Sequence, residues 1–169
     1  MDNTYFDEIN IDNGKDLAKE LVELLKEKKM TISFAESCTG GLISAGVVDI
    51  PGASEVFYGS IVSYDNSVKM NSLGVSKEIL DTKGAVSYEC AKAMAEGVRK
   101  ALNVDMAVSV TGVAGPGGGT PEKPVGTVFI GYADRNGSES IKTFTEGDRS
   151  EIRKVNCFKA YKYALSKLV

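Results

Sequence analysis

Leu17, Leu21, Leu24 and Leu25 recur at helical spacing with lysines between them, so residues 14–29 read as an amphipathic first helix. A β-branched run starts at Thr31, and residues 31–35 read as a strand. A turn with two glycines follows, then a short helix that stops before the breakers Ile50-Pro51-Gly52. Residues 54–57 have room for one helical turn, residues 58–64 alternate as a strand does, and Asp65-Asn66 is the turn that ends it, with Lys69 just beyond. Residues 76–83 read as a short helix and residues 87–102 as a longer one, with Ala91, Met94, Ala95, Val98 and Leu102 in one core-facing stripe. Residues 104–111 are apolar or β-branched almost throughout, as in a strand buried on both faces. Residues 125–133 and 138–146 read as two strands joined through Asn136-Gly137, a hairpin signal that makes them antiparallel. Gly147-Asp148-Arg149 opens a last helix with Ile152, Val155, Phe158, Leu165 and Leu168 on its apolar face. This order predicts an α/β fold, a three-layer α/β/α sandwich with a mixed, mostly parallel sheet. Residues 1–12 are polar and aperiodic and read as a loosely ordered N-terminal arm; residues 13–169 read as one domain.

Composition narrows the function classes. A net charge of -3 argues against a nucleic-acid surface. The N-terminus is acidic and has no signal-like pattern, and no apolar run approaches the ~18 residues of a membrane span, so no membrane association is expected. Cys38, Cys90 and Cys157 are widely spaced, which suggests neither a disulfide framework nor a zinc site and fits a reducing cytoplasm. The chain contains no histidine. Triads built on imidazole are thereby excluded, and Lys, Tyr, Asp and Glu remain as candidate general bases.

Two stretches carry candidate chemistry. Ser37 stands where a strand turns into a helix, beside backbone N–H groups that could serve an oxyanion; the structural alternative is a helix-capping serine. Cys38 is a rival nucleophile next to it, disfavoured because adjacent residues at such a turn point in different directions. The loop of residues 112–124 holds five of the chain's 18 glycines directly after a buried strand, where open α/β sheets bind ligands. Its spacing matches no standard phosphate-binding motif, so it reads either as a cradle of backbone N–H groups or as a surface excursion.

Five blocks together, Ala35-Glu36-Ser37-Cys38-Thr39-Gly40-Gly41, Tyr64-Asp65-Asn66-Ser67-Val68-Lys69, Thr111-Gly112-Val113-Ala114-Gly115-Pro116, Lys123-Pro124-Val125-Gly126-Thr127-Val128 and Gly147-Asp148-Arg149, resemble one family. It is the CinA C-terminal domain family, the PncC-type nicotinamide mononucleotide deamidases. The chain looks like the stand-alone form, expected to lack the larger N-terminal domain that many CinA proteins carry. The resemblance implies hydrolysis of a nucleotide carboxamide by a Ser/Lys amidohydrolase with no metal and no cofactor. Ser37 matches the nucleophile and Lys69 the base, with the N–H groups of Cys38, Thr39, Gly40 and Gly41 as oxyanion donors. Tyr64, Asn66, Thr111, Gly112, Gly115, Gly117, Gly118 and Arg149 are the expected substrate contacts. Asp65 and Ser67 stand in a block that often reads Tyr-Ser-Asn-Glu, and Thr111 stands where some members have Ser; neither removes a required group. The implied partner is a small-molecule nucleotide, and a homo-oligomer is left open. The alternative function is a non-catalytic nucleotide-binding or protein-interaction module linked to competence and DNA damage.

Overall fold

The computed structural model describes residue 6 and residues 8–169. Its helices are α1 (Leu17–Lys28), α2 (Leu42–Val48), α3 (Asn66–Leu73), α4 (Lys77–Thr82), α5 (Tyr88–Leu102) and α6 (Arg149–Ser166). The strands are β1 (Ile32–Glu36), β2 (Phe57–Val62), β3 (Met106–Gly112), β4 (Thr127–Ala133) and β5 (Ser138–Phe144). They form one mixed sheet in the order β2-β1-β3-β4-β5. β1 runs parallel to both β2 and β3, while β3–β4 and β4–β5 are antiparallel, so β4 alone opposes the common strand direction.

The sheet separates two cores, which makes the three layers. On one side α1, α2 and α6 bury Leu21, Leu25, Ile43, Val47, Ile152 and Ala160 against Phe34, Met106, Val108 and Ile130 of the strands. On the other, Leu73 of α3 and Cys90, Met94 and Val98 of α5 close over Ala35 and Ala107. β1 and β3, flanked by strands and covered on both faces, are buried along their length up to Gly112, as the apolar run over residues 104–111 predicts.

One helix escapes the pattern reading. Asp65-Asn66 is not merely a turn: Asp65 is the N-cap of α3, its carboxylate accepting from the Ser67 N–H at 2.8 Å. The buried positions of α3 are Lys69 and Leu73, so its inward face carries an amine where an apolar stripe would reveal a helix. α3 lies close against α5, and Gly97 permits this, since a Cβ there would overlap the Leu73 carbonyl. Of the segment read as an arm, residues 1–5 and 7 lie outside the described residues. Phe6 is buried, edge-on to Tyr163 with ring centroids 5.7 Å apart.

Candidate active site

The chain leaves β1, β2 and β3 at the same edge of the sheet. β1 runs into the Ser37 turn, β2 into Ser63, Tyr64 and α3, and β3 into the glycine loop. Between these exits lies a cavity of ≈ 310 Å³. Of the expected site residues, all but Thr39, Gly40 and Gly41 line it, together with Ala85, Val86, Val113 and Ala114.

Lys69 reaches this cavity from the first turns of α3 and is only 1% exposed. Its Nζ donates to Ser37 Oγ (3.1 Å), to the Ser63 carbonyl (2.7 Å) and to the Tyr64 carbonyl (3.1 Å). Burial pulls its pKa below the usual lysine value, against the opposing pull of Cys90, Asp65 and Cys38. As a neutral amine, Lys69 would keep two hydrogens for the two carbonyls and turn its lone pair towards Ser37 Oγ. Ser37 is thus placed beside a base. It is not the helix cap, since the N-cap of α2 is Gly41, at φ +100°.

Contrary to expectation, the N–H groups of Gly40 and Gly41 are already engaged within the turn. Ser37 N–H donates to Val110 O (2.9 Å), and Gly40 N–H folds back on Ser37 O (3.1 Å). The N–H groups of Gly41 and Ile43 donate to Glu36 Oε2 at 2.9 and 3.1 Å, and that of Ser44 to Glu36 Oε1 at 2.9 Å. The hydroxyls of Thr39 (2.8 Å) and Ser44 (2.5 Å) complete the shell of the Glu36 carboxylate. Gly40 and Gly41 are therefore not free donors. A buried carboxylate already occupies the positive end of α2. Among the described residues, no oxygen accepts the N–H groups of Cys38 and Thr39.

Cys38 itself is buried, and burial pushes its thiol up to about 12, a protonated and poor nucleophile at neutral pH. Thr111 lines the cavity from β3 while its hydroxyl donates to Ala85 O at 2.8 Å. Asn66 stands at the first turn of α3 on the cavity rim. Arg149 spans the mouth: it donates to Gly115 O (2.6 Å) in the glycine loop and to the Tyr64 hydroxyl (2.9 Å) across from it. Gly117 and Gly118 carry N–H groups with no acceptor among the described residues, as a backbone cradle requires. The loop is tied at its base through Val113 N–H to Thr127 O (2.9 Å) and Gly126 N–H to Val113 O (2.8 Å). One turn beyond Arg149, Arg153 donates through Nε to Cys38 O (2.9 Å) and through its terminal nitrogen to Thr39 O (2.8 Å). Among the described residues, no group of three or more Cys, Asp or Glu is arranged to hold a metal ion, and no helix is long and apolar enough to cross a membrane.

A family model, the CinA C-terminal domain, matches residues 14–168. The chain belongs to this family. The CinA-like protein of Dictyoglomus thermophilum is 52% identical over 137 residues, 81% of this chain and 33% of the relative. A CinA-like protein of Leptospira borgpetersenii serovar Hardjo-bovis is 57% identical over 126 residues, 75% of this chain and 30% of the relative. The chain thus spans about a third of the length of the curated relatives it matches. Among solved structures, the competence/damage inducible protein CihA from Agrobacterium tumefaciens superposes with a TM-score of 0.85 at 39% identity, covering 92% of this chain and 94% of that one. A CinA superfamily protein from Klebsiella pneumoniae gives a TM-score of 0.88 at 28% identity, covering 92% and 98%. Two residues that organise the site in this CinA domain, Glu36 and Arg153, were not among the expected ones. Glu36 is the last residue of a buried strand, and an acid there asks for partners. Arg153 follows Arg149 by four residues and so shares its helix face.

Proposed function

We propose that the chain is a nicotinamide mononucleotide deamidase of the cytoplasm, hydrolysing the carboxamide to nicotinate mononucleotide and ammonia in pyridine nucleotide recycling. The observation that carries this reading is the 3.1 Å contact between Lys69 Nζ and Ser37 Oγ, with the amine buried and its pKa lowered. Lys69 takes the Ser37 proton as the oxygen attacks the carboxamide carbon. The carbonyl oxygen becomes an oxyanion served by the Cys38 N–H, which has no acceptor among the described residues and belongs to a residue that lines the cavity. The resulting ammonium of Lys69 returns its proton to the leaving nitrogen, ammonia departs, and Ser37 holds the nicotinoyl ester. Lys69 then deprotonates a water that hydrolyses this ester. Arg149 keeps further guanidinium N–H groups for the phosphate after serving Gly115 and Tyr64.

A non-catalytic binding module would suit the competence and damage names of the relatives. It has no use, however, for a buried amine aimed at a serine hydroxyl, and the enzyme reading is favoured for that reason. Ammonia release from nicotinamide mononucleotide is the test. Wild type should turn over and folded Ser37→Ala should not; near wild-type turnover by Ser37→Ala would sink the Ser/Lys mechanism.

A further inference from the structure

We infer that Arg153 is a positioning residue for the oxyanion site: by pinning the Cys38 and Thr39 carbonyls it holds the turn whose Cys38 N–H, on a residue that lines the cavity, meets the developing charge. The inference rests on Ser37 being the nucleophile of the proposed deamidase, and it concerns a side chain that makes no contact with the cavity. A trans peptide is planar, so the direction of a C=O fixes the opposite direction of the N–H in the same unit. Thr39 N–H shares its peptide unit with the Cys38 carbonyl, which Arg153 Nε holds at 2.9 Å. Cys38 N–H shares its unit with the Ser37 carbonyl, which the Gly40 N–H holds at 3.1 Å. Each free donor therefore has its partner carbonyl tied down on the far side. The second bond of Arg153, 2.8 Å to Thr39 O, fixes the next unit, whose N–H is the Gly40 group that holds Ser37 O. One guanidinium thus secures both links.

The device complements Glu36. The carboxylate draws N–H groups of residues 41, 43 and 44 to one side, and the guanidinium draws carbonyls of residues 38 and 39 to the other. The turn is stretched between opposite charges, and of the two N–H groups it leaves without an acceptor, the Cys38 one belongs to a residue that lines the cavity. A guanidinium also polarises a carbonyl it donates to, which makes the N–H of that unit a stronger donor. Lysine cannot reproduce the pair of parallel bonds.

The test compares full-length wild type with Arg153→Met, Arg153→Lys and Arg153→Ala. An interaction expressed only in the transition state lowers kcat and leaves KM nearly alone, and loss of an oxyanion donor costs ~100- to 1000-fold. Loss of positioning should cost Arg153→Met about tenfold or more in kcat with KM within about threefold, Arg153→Lys somewhat less. Millimolar guanidinium should restore part of the kcat of Arg153→Ala, which a loosened fold would not explain. An unchanged kcat, a rise confined to KM, or a loss of activity that follows the loss of folded protein without guanidinium rescue would each overturn the inference. If wild type releases no ammonia from nicotinamide mononucleotide, the deamidase reading falls by itself. The same comparison is then made on acylation of Ser37 by p-nitrophenyl acetate, whose transition state also carries an oxyanion. A rate unaffected by Arg153→Met there would overturn the positioning role independently.

Discussion

In the proposed mechanism Lys69 is the base because burial opposes its charge. The activity should rise with pH through an apparent pKa below the usual 10.5 of lysine, and Lys69→Arg should lose at least about 100-fold in kcat, since a guanidinium cannot give up its proton. A pH–rate profile on both proteins checks this. The linked effect on stability has a definite sign. Above pH 10.5 the amine is neutral in both folded and unfolded chains; as pH falls, the unfolded chain takes up a proton that the folded chain refuses until the lower folded-state pKa is reached. Wild type should therefore gain Tm relative to Lys69→Met as pH is raised towards 10.5. Cys38→Ala should keep most of its activity, and Cys38 should resist iodoacetamide at pH 8, because its thiol titrates at about 12. At this scale the sequence was only half legible. Ser37 stands out at a strand-to-helix turn and Lys69 in a motif block, and the structure brings the two to 3.1 Å. The main-chain demands that Glu36 and Arg153 satisfy became visible only once the turn was folded, because Arg153 meets Cys38 from 115 positions away.

Among the elements, α3 and α6 deliver the proposed base and both guanidinium groups. α6 starts from a capping box in which Asp148 accepts from Ser150 and Glu151 N–H and Glu151 reaches back to Asp148 N–H. Asp148→Ala should cost about 1 kcal/mol, or roughly 2–4 °C in Tm, measured by thermal unfolding. It should also weaken Arg149 and Arg153 together, since both ride on the first two turns. The glycine loop divides by position. A side chain at Gly117 meets nothing within 4 Å, whereas one at Gly115, at φ +77°, would run into Val125. Gly117→Val should then fold normally and raise KM before it affects kcat, while Gly115→Val should lower Tm; steady-state kinetics beside melting curves separate the two. Strands buried on both faces and strongly amphipathic helices were readable, as β3 and α5 show. α3 was not, because its inward face presents Lys69, and a buried amine in place of an apolar side chain removes the stripe that would reveal it.

Over the whole molecule, the site depends on two helices approaching closely on one face of the sheet while the nucleophile turn packs on the other. Gly97→Ala should force α3 away from α5 and cost about 1–3 kcal/mol by overpacking, with kcat falling as Lys69 moves from Ser37. Chemical denaturation and turnover on the same sample would show the coupling, and loss of stability with unaltered kcat would break it. The layer order was legible from the alternation of elements. The order β2-β1-β3-β4-β5 was not, since pairing depends on contacts between strands that the chain itself separates widely. The heavy use of main-chain atoms has an evolutionary side. Arg149 and Arg153 grip the carbonyls of Gly115, Cys38 and Thr39, and Glu36 grips amides, all of which survive most side-chain replacements. A saturation library at Cys38 should therefore look permissive to small residues, and one at Thr39 to residues that keep the hydroxyl bond to Glu36, yet both positions should reject proline. Sequence drift there would be a poor measure of how much the site depends on them.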